Sequence, residues 1–190
     1  MRIVFIILSL VCVSAFGVTP AEFNKIRSLA EKDDPESQYE LAEFYNWGGL
    51  AENYNWGMYG ARDQDEAVKL YFKAAKQGHE KAQIKIAGLY FYGRDGLPMN
   101  YEEGFNWYRK AAEQGSVEAL EMVGICCQWG VGVPVNQVEA YAYFNVGGAI
   151  DNRCSEFRDK LAKKMTPSQI EAGQKRSLEL QAKIDSRKAS

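Results

Sequence analysis

The sequence predicts an all-α protein, an α/α superhelix in which helix pairs stack in series, and three observations carry that prediction. The first is recurrence. AAKQG at 74–78 returns as AAEQG at 111–115, and IAGLYFYG at 86–93 returns as VGICCQWG at 123–130, both shifted by 37 residues; LAEFYNWG at 41–48 is the same phrase 45 residues before IAGLYFYG. A period of about 20 to 50 residues marks supersecondary units that bury their apolar faces only against their neighbours. The second is periodicity: in each unit two sets of apolar and small residues fall at i, i+3, i+4 and i+7, one helix face each. The third is punctuation, with capping side chains and glycines placing the helix ends independently.

Taking the chain in order, residues 1–15 read as a signal peptide. Arg2 precedes an apolar run from Ile3 to Leu8 that resumes after Ser9 and ends in the small-residue site Val13, Ser14 and Ala15, with Ala15 and Gly17 offering a second. About eleven apolar residues fall short of the roughly 20 that span a bilayer. The expectation is export, to the periplasm or outside the cell, with no stable membrane span after cleavage. Loss of Arg2 takes the formal net charge from −2 to −3. A mildly acidic chain without basic blocks has no electrostatic footprint for nucleic acid.

Residues 16–34 read as an N-terminal capping helix, with Thr19 as N-cap, Pro20 at the first position and Ala21, Phe23, Ile26, Leu29 and Ala30 on the apolar face. The first repeat, 35–78, sets Ser37, Leu41, Phe44 and Tyr45 against Ala67, Leu70, Tyr71, Ala74 and Ala75. The second, 79–115, sets Ala82, Ile86, Leu89 and Tyr90 against Gly104, Trp107, Tyr108, Ala111 and Ala112. The third, 116–150, sets Ala119, Val123, Cys126 and Cys127 against Ala140, Tyr143, Phe144, Gly147 and Gly148. Rings alternate with Ala or Gly because helices about 8 to 10 Å apart admit a ring only opposite a small residue. Ahead of each second helix an oxygen-bearing side chain precedes Glu by three, at Asp63 and Glu66, Asn100 and Glu103, Asn136 and Glu139, the spacing of a reciprocal capping box. Gly78 and Gly115 stand where a helix exit needs positive φ.

Residues 151–190 read as a capping helix pair: one helix from about 152 to 164, then Thr166 as cap, Pro167, Gln169, and a last helix from 168 to about 184 that keeps Ile170, Leu178, Leu180 and Ile184 on an otherwise polar surface. The tail SRKAS is expected to fray.

Candidate binding residues are aromatic. The connection 46–62 is longer than its counterpart in the next repeat and carries Trp47, Tyr54, Trp56 and Tyr59 among Gly and Asn. Rigid aromatic area on a permissive backbone suits contact with a partner, although such loops more often pack, with the rings folded down over the end of the stack. Trp47, Tyr92 and Trp129 occupy equivalent places before the loop glycine of each repeat. They read either as a strip that grips a peptide or as a ladder closing each helix pair.

Candidate catalytic, cofactor and metal residues are none. His79, the only histidine, has no ligand company at helical spacing, and there is no Gly-rich phosphate cradle or G-x-S-x-G turn. Cys126, Cys127 and Cys154 remain after export. First helices of a stack run parallel, and Cys126 and Cys127 close one while Cys154 opens another. The offset of about 10 Å exceeds the Cα separation of under about 7 Å that a bridge needs, so no disulfide is expected.

LAEFYNWG, IAGLYFYG and VGICCQWG, followed by Ala or Gly three before a bulky pair, then AA and QG, resemble the Sel-1-like repeat, a relative of the tetratricopeptide repeat. The segment DNRCSEFRDKLAKKMTPSQIEAGQKR is similar to the ending of bacterial members. The resemblance covers roughly residues 20 to 180 and implies a right-handed α/α solenoid serving, without catalysis, as a scaffold for a protein or peptide. Departures are Gly147 and Gly148 for the Ala pair, Cys127 for the usual Tyr, and no QG after the third unit. A cysteine-rich branch with a bridge in each repeat, some members of which bind or hydrolyse β-lactams, supplies an alternative, although the first two units here lack cysteine. An envelope component that self-associates through the aromatic loop is a third reading.

Overall fold

Nine helices and no strand make up the described residues of the computed structural model, which are 20–47 and 63–189. The expected leader, the Thr19 cap and most of the aromatic connection lie outside them. The chain divides into two compact units, Met1–Gln77 and Gly78–Ser190.

The first unit holds α1 (Pro20–Ala30), α2 (Pro35–Trp47) and α3 (Gln64–Lys76). Phe23 of α1 meets Phe44 of α2 edge-on, with centroids 5.3 Å apart. The small positions of α3, Ala67, Ala74 and Ala75, are buried as their spacing predicts, together with Leu70 and Tyr71. Tyr71 is buried entirely and its hydroxyl donates to Glu43 Oε1 at 2.5 Å. On α2 the face is rotated from the predicted one: Gln38 and Ala42 join Ser37 and Leu41 inside, while Phe44 and Tyr45 are half-buried.

Gln38 explains its own burial. Its side-chain amide donates to Ala30 O at 3.4 Å and Asp33 Oδ1 at 3.2 Å, and its Oε1 accepts from Gln77 Nε2 at 2.8 Å. A buried polar group so satisfied escapes the desolvation penalty. The second unit repeats the bond: Gln114 Nε2 donates to Gln83 Oε1 at 2.8 Å. The Gln of each QG thus reaches the first turn of its own repeat, and the Gly turns the chain at φ +96° at Gly78 and +91° at Gly115. After the third repeat the turn is one residue shorter: Ile150 stands in the place of the Gln and is exposed, and the N-cap Asp151 accepts from Arg153 N at 2.7 Å.

The second unit comprises α4 (Glu80–Tyr92), α5 (Tyr101–Ala112), α6 (Val117–Trp129), α7 (Gln137–Gly147), α8 (Asn152–Ala162) and α9 (Pro167–Lys188). Glycines receive rings: Gly104 lies flush on Phe91, a Cβ on Gly124 would stand 2.5 Å from the Phe144 ring, and one on Gly173 2.6 Å from the Tyr141 ring. The departure at Gly147 and Gly148 has the same cause. A Cβ there would meet Cys154 Sγ at 2.8 Å or Ser155 Oγ at 2.7 Å, so the glycine pair admits the first turn of α8 where an Ala pair would exclude it.

The caps stand where the spacing places them, with one correction. Asp63, Asn100 and Asn136 accept from the backbone N–H three residues on, at 3.0 to 3.1 Å. The expected return bond from Glu does not form, because each cap N–H is already given to the preceding helix: Asp63 N to Tyr45 O at 3.1 Å, Asn100 N to Tyr90 O at 2.9 Å and Asn136 N to Cys127 O at 2.8 Å. Only the backbone of the third partner is used, so Cys127 replaces Tyr without loss. The full reciprocal box forms at Thr166 and Gln169. His79 is itself the N-cap of α4, its Nδ1 accepting from Ala82 N at 3.1 Å.

Two C-terminal expectations are corrected. Helix α9 packs on α7 through Gly173, Ser177, Leu180 and Ile184, and Leu178 is 72 % exposed. It also runs on to Lys188 instead of fraying, because Glu113 holds Lys183 at 2.7 Å and Arg187 at 2.9 Å.

Candidate interaction surface

Both first helices of the second unit's repeats end on a ring that solvent reaches. Tyr92, 65 % exposed, closes α4, and Trp129, 66 % exposed, closes α6. Each is followed by a left-handed glycine, Gly93 and Gly130, against which sit the exposed side chains of Met99 and Val135. Gly132 lies flush on the backbone carbonyl of Tyr101, which brings the second connection beside the start of α5, where Tyr101 is also exposed. Scattered exposed apolar residues need no explanation, whereas a run repeated over two neighbouring connections does. Tyr92 and Trp129 each present about two thirds of their surface to solvent. Trp47 closes α2 in the other unit, but its side chain, and Tyr54, Trp56 and Tyr59, lie outside the described residues.

A groove of about 570 Å³ lies between α4 and α6, a feature the sequence reading missed. Gly88 opens its wall: the nearest atom to a Cβ there is the Tyr108 hydroxyl, 3.8 Å away. Burial pushes the Tyr108 phenol above its ordinary range, and the nearby Glu118 carboxylate adds to the shift. Glu121 Oε2 is closed to solvent and accepts no hydrogen bond among the described residues. Arg153 Nη2 is 3.1 Å from it, a charge contact out of line for a hydrogen bond, and Arg153 Nε is 3.6 Å from Asp151. Arg94 lies over the Tyr92 ring, 5.1 Å from its centroid. Alternating acids and bases around one aromatic floor are legible only once α4, α5, α6 and α8 are assembled.

The chemistry elsewhere is structural. Cys126, Cys127 and Cys154 are buried and unbridged, and burial pushes their thiols up, to about 11, about 12 and about 11. Protonated thiols are poor nucleophiles and poor ligands. Among the described residues no cluster of three His, Cys, Asp or Glu side chains is arranged to hold a metal ion, and no helix is long and apolar enough to cross a membrane.

The Sel1 repeat pattern matches residues 35–79, 80–116 and 117–145, which is more than half of the chain. The chain belongs to the Sel1 repeat family. Among relatives, it is 31 % identical over 95 residues to Protein sel-1 homolog 2 of Homo sapiens, a match covering 50 % of this chain and 14 % of the relative. It is 33 % identical over 109 residues to the chitin synthase regulator SKT5 of Malassezia restricta, covering 57 % of this chain and 7 % of that protein. This Sel1 repeat chain therefore spans a small fraction of the relatives it matches. A crystal structure of a Sel1 repeat protein from Oxalobacter formigenes superimposes with a TM-score of 0.63 at 26 % identity, covering 72 % of this chain and 96 % of that one. The protective antigen c5321 of uropathogenic Escherichia coli, which displays the same repeat fold, gives 0.56 at 22 % identity over 86 % of this chain and 41 % of its own, a likeness of fold alone.

Proposed function

We propose that this Sel1 repeat chain is an exported, non-catalytic scaffold that binds a protein or peptide partner, with Tyr92 and Trp129 as contact residues of one unit and Trp47, Tyr54, Trp56 and Tyr59 as candidate contact residues of the other. The observation that carries the reading is the exposed apolar run on two successive repeat connections. Aromatic residues that are rigid, amphipathic and uncovered in the free chain supply binding energy at low ordering cost. Support from relatives is of the same kind: SKT5 is named as a regulator of an enzyme, a role exercised through another protein. The apolar segment from Ile3 to Val13 with its small-residue boundary supports export.

The test is capture from the envelope fraction of the source cells, using the wild-type chain, a Tyr92→Ala/Trp129→Ala variant, and a chain with residues 48–62 replaced by a short Gly-Ser linker. A defined partner held by the wild type and lost by the variants, with unchanged circular dichroism, is the expected outcome. Equal recovery by all three chains refutes the assignment of the aromatic residues. Cell fractionation tests export, and residence of the uncleaved chain in the cytosol refutes it.

A further inference from the structure

We infer that the apolar edge formed by the connections 93–100 and 130–136 receives a segment of the partner in which large apolar side chains are flanked by Lys or Arg. The inference rests on the scaffold reading above and adds the chemistry of what is bound. The two connections make one surface. Gly132 lies flush on the Tyr101 carbonyl, and a Cβ there would stand 2.9 Å from Glu102 N, so the second connection rests on the first turn of α5, into which the first connection leads. Tyr92, Met99, Tyr101, Trp129 and Val135 are exposed along it. A partner can cover this edge without stranding its backbone. Arg94 N donates to Leu89 O at 3.1 Å, Leu97 N to Arg94 O at 3.0 Å, and Gly130 N and Val131 N both to Cys126 O at 2.8 and 3.1 Å. Groups already satisfied lose little when water leaves.

The charges around the edge set the sign of the partner. From Phe91 to Phe105 and from Gln128 to Ala140 they are Arg94, Asp95, Glu102, Glu103 and Glu139. Glu139 is held by Arg176 at 2.7 Å. Arg94 and Asp95 are adjacent and opposite in sign, and Arg94 lies over the Tyr92 ring. That leaves Glu102 and Glu103, both exposed and neither with an ion-pair partner among the described residues. The helix start does not use their carboxylates: Asn100 Oδ1 accepts from Glu103 N at 3.1 Å, and Asn100 N is already given to Tyr90 O at 2.9 Å. Burial raises the Tyr90 phenol and the Glu103 charge adds to it, which places Glu103 on the side of α5 toward α4. The next cations along these helices, Lys85 of α4 and Arg109 and Lys110 of α5, stand two turns off, roughly 10 Å along the axis. Arg109 and Lys110 lie over the rings of Phe105 and Trp107. An acidic partner is repelled by the glutamate pair, an uncharged one buries it unpaired, and a basic one satisfies it. The same repulsion disfavours an anionic bilayer, the other kind of surface that Trp and Tyr enter.

The experiment titrates the full chain, 15N-labelled, with four peptides: acetyl-GKLFKG-amide, the same peptide with both Lys replaced by Gln or by Glu, and acetyl-GKGGKG-amide, which keeps the charges and drops the apolar pair. The first is expected to shift the amides of Tyr92, Met99 and Trp129 saturably. The Gln peptide should bind about fivefold more weakly, and the Glu peptide and the apolar-free peptide about tenfold or more. Added salt is expected to narrow the gap between the Lys and Glu peptides. Glu102→Gln/Glu103→Gln, at exposed positions that leave the Asn100 cap in place, should bind the Lys and Gln peptides alike, and Glu102→Lys/Glu103→Lys should prefer the Glu peptide. Sedimentation with vesicles of phosphatidylcholine, alone and mixed with phosphatidylglycerol, should leave the chain in solution. Equal binding of Lys and Glu peptides, an unchanged preference in the Gln variant, no shift of these amides at millimolar peptide, or vesicle binding that the Lys peptide does not compete away each overturns the proposal. Such a failure with capture through Tyr92 and Trp129 intact leaves the scaffold reading standing, and loss of that capture result removes the scaffold reading independently.

Discussion

Gly124→Ala sets two sequence-level rules against each other. Gly124 lies inside α6, where replacing Gly by Ala ordinarily stabilises a helix by about 1 kcal/mol. The added methyl, however, would stand 2.5 Å from Cε1 and 2.7 Å from Cδ1 of Phe144. That ring is fully buried and stacked on Phe157, centroids 5.3 Å apart at 21°, so it has no free direction in which to retreat by the ångström or so required. Overpacking of this kind costs about 1 to 3 kcal/mol. It outweighs propensity over most of that range, and the net expectation is a loss of up to about 2 kcal/mol. Gly88→Ala is the internal control. It too is helical, but its methyl would have only the Tyr108 hydroxyl at 3.8 Å, an ordinary contact, so propensity acts alone and the chain gains about 1 kcal/mol. Urea unfolding followed by circular dichroism reads both. The reasoning is refuted if the two variants move the midpoint in the same direction.

Gln83→Leu removes the acceptor of the Gln114 amide and puts an apolar side chain in a buried polar position; a loss of about 1 to 2 kcal/mol is expected in the same unfolding assay. Ala112→Leu, at a position with no exposed surface, should cost about 1 to 3 kcal/mol, and a melt at the wild-type temperature contradicts the register of the helix pairs. The three thiols should react with a disulfide reagent only as fast as the chain unfolds. Their folded values are raised, so their contribution to stability is intact below the ordinary thiol range near about 8.5. It is lost as pH rises, because the unfolded chain releases protons that the folded one keeps until about 11 at Cys126 and Cys154 and about 12 at Cys127. Denaturation midpoints measured from pH 8 to 10 should therefore fall, and a rise refutes the burial argument.

Much of the fold was legible because repeats state it several times. The rows of Ala opposite rings, the Asn caps and the positive-φ glycines depend on local spacing, and each appears in more than one copy. What escaped reading depends on partners distant in sequence. The Gln of QG looks like a helix-end residue until the turn of α4 that faces it is known, since Gln83 and Gln114 are 31 residues apart. Leu178 is apolar like Leu180, but α9 approaches α7 through Gly173, and that close approach puts Ser177 and Leu180 on the buried face and leaves Leu178 outside. The last turn of α9 depends on Glu113, which nothing near the C-terminus announces. Within the candidate surface, the equivalence of Tyr92 and Trp129 was legible and their exposure was not. The groove was not legible, because its lining comes from four helices and its opening from the absence of a side chain at Gly88.

The backbone clasp from each N-cap to the helix before it uncouples connection length from helix-pair geometry. Tyr45 and Asp63 enclose seventeen residues, Tyr90 and Asn100 enclose nine, and Cys127 and Asn136 enclose eight, yet the same N–H to carbonyl bond closes all of them. The closing bond is thus indifferent to the number of residues it encloses. A connection closed in this way can lengthen and change composition while the same bond still forms beneath it, which makes 48–62 the natural place to graft a foreign binding loop.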